Sequence, residues 1–220
     1  MKKNINWELY LVTDRELSKI PFYEMIKKAV DGGVTVVQIR EKKLSTREFI
    51  EEALEVKRII KEIPLIINDR VDVALAVKAD GVHLGNEDMP VDIARRILGK
   101  DFIIGASASS VEEAKEKERM GADYIAVSPV FSTPTKPDAG PPLGLEGIKE
   151  MRRVVKVPLI GIGGINRENV LDVIRSGADG VAVVSAIVSS DDPERSAKEL
   201  RELIREAKKK NFFLKNHKGS

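Results

Sequence analysis

The chain contains no cysteine, which excludes disulfide bonds, thiolate nucleophiles and cysteine-ligated metal centres. No apolar run approaches the roughly 20 residues that a membrane-spanning helix needs, and the first residues lack the apolar core of a secretory signal peptide. Neither sign of charge is in excess, because 37 Lys and Arg residues are interspersed with 35 Asp and Glu residues. This distribution argues against a nucleic-acid-binding or membrane-binding surface. These absences predict a soluble, cytoplasmic protein.

The 220 residues are sufficient for one domain with a large apolar core. Short apolar runs alternate with amphipathic segments along the chain, and most of these runs are continuously apolar. Continuous apolar runs are typical of parallel strands that are covered on both faces. The runs that we interpret as strands are 9–13, 34–39, 65–67, 81–84, 102–106, 124–128, 159–162 and 180–184.

Helix-start signals lie between several of these strands. Ser45 with Glu48, and Ser110 with Glu113, have the spacing of a capping box, in which each side chain binds the other residue's backbone N–H. Pro193 is suited to the first position of a helix. The sequence therefore predicts a regular alternation of strand and helix.

A short motif precedes every second strand. Its copies are Gly32-Gly33, Ala79-Asp80-Gly81, Gly121-Ala122-Asp123 and Gly177-Ala178-Asp179. Strand–helix units that alternate between odd and even fit a (β/α)8 TIM barrel, whose interior is filled from alternate strands. A doubly wound open sheet is the competing fold, but it requires Gly-x-Gly-x-x-Gly after the first strand, where this chain has Thr13-Asp14-Arg15. We predict a single α/β barrel over residues 1–207 and a frayed polar tail over 208–220.

Function in such barrels is located at the carboxyl ends of the strands. The second strand ends with Gln38-Ile39-Arg40-Glu41-Lys42, in which Gln38 and Arg40 share a face with Val36. An arginine at the end of a buried strand needs a negative partner. Two interpretations remain open, a bound anion and an internal ion pair with a carboxylate.

Acidic residues follow the next two strands. Asp69 comes after the third strand, and Asp88 lies shortly beyond the fourth. Neighbouring strands are about 4.8 Å apart, so both carboxylates can approach one cation. A small number of hard oxygen ligands near Arg and Lys favours Mg²⁺ that bridges a diphosphate. Asp88 also stands before Pro90, so a helix N-cap is an equally good interpretation.

Small and polar residues follow the remaining strands. Ser107 is a hydroxyl donor after the fifth strand, and the long irregular stretch 129–144 after the sixth has hydroxyls and one lysine suited to an anion. Gly163-Gly164 after the seventh strand and Ser185 after the eighth match the phosphate site of such barrels, where backbone N–H groups bind the anion. Structural glycines in a tight turn are the alternative.

Of the two histidines, His83 and His217, neither is favoured as a catalytic base. His83 lies inside the fourth strand, so we interpret it as a hydrogen-bonded interior residue, and His217 belongs to the tail. Without a histidine at the barrel rim, a Ser-His-Asp triad is excluded.

Several motifs stand in order at the predicted strand ends. They are Gln38-Ile39-Arg40-Glu41-Lys42, Asn68-Asp69, Gly81-Val82-His83-Leu84-Gly85 with Asp88, Ser107, Thr133-Pro134-Thr135-Lys136, Gly161-Ile162-Gly163-Gly164-Ile165 and Val184-Ser185. Together they resemble the thiamine-phosphate synthase family, from Leu9 to about Ile187. The resemblance implies a (β/α)8 transferase that acts on small molecules. It joins an aminopyrimidine methyl diphosphate to a thiazole phosphate, which yields thiamine phosphate and diphosphate.

The resemblance also implies roles for individual residues. Those expected to bind the pyrimidine diphosphate are Gln38, Ile39, Arg40, Glu41, Lys42, Asn68, Ser107 and Lys136. Those expected to bind the thiazole phosphate are Thr133, Pro134, Thr135, Gly163, Gly164, Val184 and Ser185. Asp69 and Asp88 are expected to hold one Mg²⁺ ion, and Arg40, Lys136 and Ser107 to be catalytic.

The chemistry that the family implies fits these residue types. A nitrogen nucleophile with a free lone pair needs no general base, whereas a departing diphosphate needs charge stabilisation. Arg40, Lys42, Lys136 and Mg²⁺ are expected to provide it. The family mechanism is dissociative, so its methylene cation must be kept from water, and closure of the loop 129–144 is expected to do so.

Other proteins on the same barrel remain as alternatives. A thiazole tautomerase keeps the phosphate site but needs an acid–base histidine just after the sixth strand, where this chain has Pro129. A non-catalytic phosphometabolite-binding protein keeps Gly163-Gly164 but does not need Asp69 and Asp88. A phosphate-binding barrel of amino-acid biosynthesis explains the glycines but not the motif 38–42.

Overall fold

A computed structural model describes residues 4–135 and 140–216. Lys136 and His217 lie outside the described residues. Parallel strands form one closed barrel in sequence order, in which the last strand pairs with the first. The predicted (β/α)8 fold is therefore confirmed, and the open-sheet alternative is wrong. The strands are β1 (Leu9–Val12), β2 (Val36–Ile39), β3 (Leu65–Asn68), β4 (Gly81–Leu84), β5 (Ile103–Ala108), β6 (Tyr124–Val127), β7 (Leu159–Ile162) and β8 (Gly180–Val183).

Helices follow the strands and cover the outside of the barrel. They are α1 (Phe22–Asp31), α2 (Thr46–Ile60), α3 (Val71–Ala76), α4 (Val91–Leu98), α5 (Val111–Arg119), α6 (Gly144–Val154), α7 (Val170–Arg175), α8 (Ser185–Val188) and α9 (Pro193–Asn216). Within the described residues, none of these helices is long and apolar enough to cross a membrane.

The apolar residues form two layers because successive side chains of a strand point to opposite faces. The larger layer packs between the barrel and the helices, and includes Leu9, Leu11 and Ile39. The smaller layer fills the barrel interior. It consists of Tyr10, Val12, Val36, Ile66, Ile103, Tyr124, Ile160 and Ala182. Gln38 follows Val36 on the interior face, as predicted, and is only 4% exposed.

The helix starts agree with the sequence signals in part. Ser45 and Glu48 form the complete reciprocal capping box of α2. At α5, Ser110 accepts a hydrogen bond from the backbone of Glu113. The Glu113 carboxylate, however, binds the backbone and hydroxyl of Ser109, so the second capping box is only half formed.

The last helix corrects the expected boundary at residue 207. Helix α9 continues to Asn216, so a frayed tail does not begin at 208. One reason is Glu8, just before β1, whose carboxylate accepts a 2.7 Å hydrogen bond from Arg201 and lies 3.5 Å from Lys208 Nζ. These contacts fasten α9 to the segment just before β1.

Candidate active site at the carboxyl ends of the strands

A cavity of about 640 Å³ opens at the carboxyl ends of the strands. Most residues expected from the sequence to bind substrates or metal line this cavity. They are Gln38, Arg40, Lys42, Asn68, Asp69, Asp88, Ser107, Thr133, Thr135, Gly163, Gly164, Val184 and Ser185. Its floor is the interior layer of the barrel, including Tyr10, Tyr124 and Ile160.

Three of the expected binding residues do not line the cavity. Ile39 points outward into the layer beneath the helices, and Pro134 is exposed. The Glu41 carboxylate faces Arg15, with 3.6 Å between Arg15 Nε and Glu41 Oε1. The alternation of side chains along an extended segment explains this result, because 39 and 41 point away from the face that carries 38, 40 and 42.

Arg15 is a residue that the sequence interpretation missed. It forms a salt bridge with the buried Glu52 of α2, and its guanidinium lies 4.2 Å from the ring centre of Phe22. It thereby connects the loop after β1 to α2 and to Glu41. Burial raises the pKa of Glu41, and the nearby Arg15 opposes that rise. We interpret Glu41 as a residue that holds the loop after β2 in place.

The cations at the cavity rim are paired with carboxylates. Arg40 Nη1 lies 3.6 Å from Asp14 Oδ2, and Lys42 forms a salt bridge with Asp69. Arg40 therefore has a carboxylate partner, as the ion-pair interpretation expects, and its binding of an anion stays a prediction. The Arg40 side chain is 26% exposed and that of Lys42 is 53% exposed, so both remain accessible to an anion in the cavity.

Asp69 and Asp88 meet at one side of the cavity. The backbone of Asp69 has φ 63°, a left-handed conformation that is uncommon outside glycine and is often found at functional sites. Asp88 accepts a 2.6 Å hydrogen bond from the backbone of Gly85. The N-cap position of α4 is occupied by Pro90 with no side-chain cap, so the N-cap interpretation of Asp88 is wrong.

The electrostatics of this pair suit a divalent cation. Burial raises the pKa of Asp88, and contact with Asp69 raises it further, whereas Lys42 and the Gly85 N–H act in the opposite direction. Two adjacent carboxylates repel each other, and a cation between them removes that repulsion. No cluster of three or more metal-binding side chains occurs within the described residues. Asp69 and Asp88 therefore offer part of a coordination shell that substrate oxygens can complete.

The two glycines after β7 allow two loops to approach closely. Gly163 and Gly164 have φ 103° and 64°. The backbone N–H of Phe131 donates a 3.0 Å hydrogen bond to Gly163 O. A Cβ atom on Gly164 would lie 2.7 Å from Ser132 O, which is too close for any side chain. The glycines thus have a structural reason to be present, and Gly163, Gly164, Val184 and Ser185 also line one side of the cavity.

Ser107 is connected to the interior of the barrel. Its Oγ lies 2.9 Å from His83 Nε2, and His83 Nδ1 lies 2.8 Å from the Tyr124 hydroxyl. His83 is 8% exposed, so its interpretation as a hydrogen-bonded interior residue is confirmed. Tyr10 and Tyr124 were missed at the sequence level. The available signal was the alternation that places Tyr10 on the interior face with Val12.

Comparison with known proteins gives concordant results. Residues 9–187 match the family model described as thiamine monophosphate synthase. A thiamine-phosphate synthase of Chloroflexus aurantiacus is 52% identical over 203 residues, which is 91% of this chain and 94% of the relative. One from Methanosarcina barkeri is 48% identical and covers 92% of each chain.

Solved structures agree with these matches. A thiamine phosphate pyrophosphorylase from Pyrococcus furiosus is 43% identical, with a TM-score of 0.85 over 92% of this chain and 97% of that chain. A 3-hexulose-6-phosphate synthase, at 18% identity and a TM-score of 0.67, is alike in fold alone. By sequence and by structure, this chain belongs to the thiamine-phosphate synthase family, whose members are transferases.

Proposed function

We propose that this chain makes thiamine phosphate by joining an aminopyrimidine methyl diphosphate to a thiazole phosphate in the cavity described above. The observation that carries the assignment of the two substrates is the division of charge in the cavity. Asp69 and Asp88 lie together with Arg40 and Lys42 on one side. On the other side, Gly163-Gly164 offers backbone without side chains.

The side with the charged residues would bind the diphosphate. Arg40 and Lys42 would exchange their present carboxylate partners for diphosphate oxygens, and Asn68 and Ser107 would donate hydrogen bonds. Lys136 would contribute a further cation, although it lies outside the described residues. Fixed positive groups of this kind stabilise charge that develops on a leaving group, because they do not have to reorganise during the reaction.

Asp69 and Asp88 would hold one Mg²⁺ ion beside the diphosphate. When bound, the ion would act as a Lewis acid and neutralise negative charge on the leaving oxygens. When Lys42 turns from Asp69 to the diphosphate, the Asp69 carboxylate would become free to hold the ion. The left-handed backbone of Asp69 determines the direction in which its side chain leaves the main chain.

The side with the glycines would bind the thiazole phosphate. Gly163 and Gly164 would present backbone N–H groups to the phosphate, as in other barrels. Thr133, Thr135 and Ser185 line the same cavity with hydroxyl groups that can donate hydrogen bonds. A phosphate at this position would place the thiazole ring over the centre of the barrel.

The reaction would then need no general base. The bond between the methylene carbon and the diphosphate oxygen breaks, and its electron pair leaves with the diphosphate. The lone pair of the thiazole nitrogen forms the new C–N bond, so no proton is transferred. His83 is consistent with this scheme because both its ring nitrogens already have partners. The apolar floor formed by Val12, Ile160 and Ile162 would limit access of water to the pyrimidine methylene cation that forms when this bond breaks.

An assay of purified protein tests this proposal. With both substrates and Mg²⁺, thiamine phosphate and diphosphate should form in equal amounts, and chelation of Mg²⁺ should abolish the reaction. Formation of thiamine phosphate at an unchanged rate without divalent cations would refute the metal site. Metal-independent isomerisation of a thiazole carboxylate phosphate would instead identify a tautomerase, despite Pro129 shortly after β6.

A further inference from the structure

A continuous chain of hydrogen bonds crosses the interior of the barrel beneath the cavity. Gln38 Nε2 lies 2.7 Å from the Tyr10 hydroxyl, which lies 2.9 Å from the Tyr124 hydroxyl. The Tyr124 hydroxyl lies 2.8 Å from His83 Nδ1, and His83 Nε2 lies 2.9 Å from Ser107 Oγ. The two ends of the chain, Gln38 and Ser107, are both residues that we assign to the pyrimidine diphosphate.

Only two arrangements of the protons leave every buried donor in this chain hydrogen-bonded, as buried polar groups generally are. Tyr10 and Tyr124 are at most 1% exposed, and burial raises the pKa of both, so each hydroxyl keeps its single proton. A neutral histidine also has one N–H group and one acceptor nitrogen. Each hydroxyl can therefore donate in one direction only. If no buried proton is to be left without an acceptor, the direction of one bond then determines the direction of every other bond in the chain.

In the first arrangement the donors point from Gln38 towards Ser107. The Gln38 amide donates to Tyr10, Tyr10 to Tyr124, and Tyr124 to His83 Nδ1, which agrees with the placement of Gln38 Nε2 beside the Tyr10 hydroxyl. His83 then carries its proton on Nε2 and donates to Ser107 Oγ. The Ser107 proton is left for the cavity, and so is the carbonyl oxygen of Gln38.

In the second arrangement every bond is reversed. Ser107 donates to His83 Nε2, and its oxygen alone faces the cavity. The Gln38 amide is flipped and presents its NH₂ group to the cavity instead. An acceptor at Ser107 would repel a diphosphate oxygen, and a donor at Gln38 would repel the amino group of a pyrimidine. Only the first arrangement therefore suits a diphosphate oxygen at Ser107 and a pyrimidine amino group at Gln38.

The barrel is built to hold the centre of this chain. Gly105 of β5 lies beneath the Tyr124 ring, and a Cβ atom at this position would be 1.9 Å from Tyr124 Cζ and 2.3 Å from its hydroxyl oxygen. Its φ is not positive, so backbone conformation does not require the glycine. The absence of a side chain at residue 105 creates the space that the phenol ring occupies.

We propose that Tyr10, Tyr124 and His83 are positioning residues that fix Ser107 as a hydrogen-bond donor to the diphosphate and Gln38 as an acceptor for the amino group of the pyrimidine. This proposal rests on the substrate assignment made above. It requires His83 to be neutral with its proton on Nε2. None of the three residues has to touch the reacting atoms, because they act by determining whether Ser107 and Gln38 donate or accept hydrogen bonds towards the substrate.

The tautomer of His83 can be measured without any assay of activity. In ¹⁵N-histidine-labelled protein, long-range ¹H–¹⁵N correlation spectra distinguish Nε2–H from Nδ1–H. Only two histidines are present, and His217→Gln removes the other signal. We expect Nε2–H in the free protein and with inorganic diphosphate and Mg²⁺ added. An Nδ1–H tautomer would overturn the proposal even if the protein makes thiamine phosphate.

Tyr124→Phe breaks the chain at its centre and leaves both ends intact. We expect both His83 tautomers to become populated and kcat to fall about tenfold, the value of one hydrogen bond. The KM for the thiazole phosphate should not change. Tyr23→Phe is the matched control, because Tyr23 is 37% exposed on α1 and should leave kcat and the His83 signals unaltered.

Tyr10→Phe is a second break in the same chain, for use if the first variant melts early. In this variant too, kcat should fall and both tautomers of His83 should become populated. If both variants fold and keep full kcat, the three residues are structural only and the proposal fails. If the wild-type protein shows the Nε2–H tautomer but forms no thiamine phosphate, the direction of the hydrogen bonds from Gln38 to Ser107 is confirmed. The assignment of the two substrates is then wrong.

Discussion

Arg95 donates a 2.6 Å hydrogen bond to Asp123 at the amino-terminal end of the barrel, opposite the cavity. The same carboxylate oxygen of Asp123 accepts a 2.8 Å hydrogen bond from the backbone of Ile104. Arg95 also binds the carbonyl groups of Phe102 and Gly121. One ion pair thus connects α4 to the starts of β5 and β6.

The other acidic residues of the internal sequence motif make an equivalent contact. Asp179 accepts hydrogen bonds of 2.8 Å from Arg152 and from the backbone of Leu159. Asp80 accepts a 2.9 Å hydrogen bond from the backbone of Leu65. Each aspartate therefore binds an N–H group at the start of the preceding strand, which explains the aspartate in the three copies of the motif that contain one.

We predict that Asp123→Ala lowers stability without affecting catalysis. The change leaves Arg95 and the Ile104 N–H without this partner, at a cost of about 1–3 kcal/mol. In a domain of this size that corresponds to a fall in Tm of several degrees, on the order of 2–4 °C per kcal/mol. Thermal melting measures the loss, and kcat at 25 °C should stay unchanged.

Asp191→Ala is the matched control for this prediction. Asp191 also forms an ion pair, with Lys19 at 2.9 Å, but its side chain is 89% exposed. Exposed pairs contribute about 0–1 kcal/mol, so Tm should barely move. Equal losses in the two variants would show that the recurring aspartates are ordinary surface charges.

A second prediction concerns Glu8 and pH. Burial raises the pKa of Glu8, but Lys208 and Arg201 lower it by more, so the net shift is downward. Because this pKa is lowered in the folded state, the ionised carboxylate stabilises the folded protein at pH values above the ordinary glutamate pKa of about 4.3. This stabilisation is lost as pH falls through the lowered pKa of the folded state.

Glu8→Gln should therefore lower the free energy of unfolding by about 1–2 kcal/mol at neutral pH. The difference from the wild-type protein should shrink as the pH falls below about 4.3, since protonated Glu8 is then as neutral as Gln. Urea unfolding at a series of pH values measures the difference. A gap that persists at acid pH would mean that the contact with α9 depends on shape rather than charge.

The barrel could be predicted from the sequence because its strands are covered on both faces. Runs such as Leu159–Ile162 are continuously apolar and are bounded by turn residues. The positions of the strands and their parallel pairing could both be predicted for this reason. Contacts between segments distant in sequence were not evident. Nothing near residue 208 indicates that Lys208 meets Glu8, which lies at the other end of the chain.

The candidate site could be predicted where a strand end determines it. Gln38, Arg40 and Lys42 face the cavity because side chains alternate. Asp88 was ambiguous because a loop aspartate before a proline can either cap the helix or bind another partner. The conformation of the loop decides between them, since Asp88 accepts its hydrogen bond from Gly85, three residues earlier in the same loop.

A third prediction tests the phosphate side of the cavity through Gly164. Its φ of 64° disfavours any other residue, and a Cβ would lie 2.7 Å from Ser132 O and 2.8 Å from Phe131 Cβ. Gly164→Val should displace the backbone that would bind the thiazole phosphate. We expect the KM for the thiazole phosphate to rise at least tenfold, whereas the KM for the pyrimidine diphosphate should change little.

Gly99→Val separates this local effect from backbone strain. Gly99 has φ 75°, but nothing lies within 4 Å of a Cβ at that position, which follows α4 at the opposite end of the barrel. The control should lose stability and keep both KM values. An unchanged thiazole phosphate KM in Gly164→Val would place the phosphate elsewhere in the cavity.

The fourth prediction distinguishes a metal ligand from a structural aspartate at position 88. Asp88→Asn keeps the shape of the side chain and an oxygen that can accept from the Gly85 N–H, but it loses the charge. Activity should fall on the order of 10²–10³-fold, the cost of removing one preorganised charged group. Tm of the metal-free protein should stay equal or rise, because the repulsion from Asp69 that helps to raise the Asp88 pKa is gone.

Asp69→Asn should behave in the same way if the two carboxylates share one ion. In both variants, activity that remains should require higher Mg²⁺ concentrations, which a titration of rate against Mg²⁺ measures. Asp92→Asn is the control, because Asp92 is an exposed acid in the first turn of α4 and should alter neither rate nor Mg²⁺ dependence. Full Mg²⁺-dependent activity in Asp88→Asn would leave Asp88 with its Gly85 contact alone, so the cation would have to be held by Asp69 and the substrate.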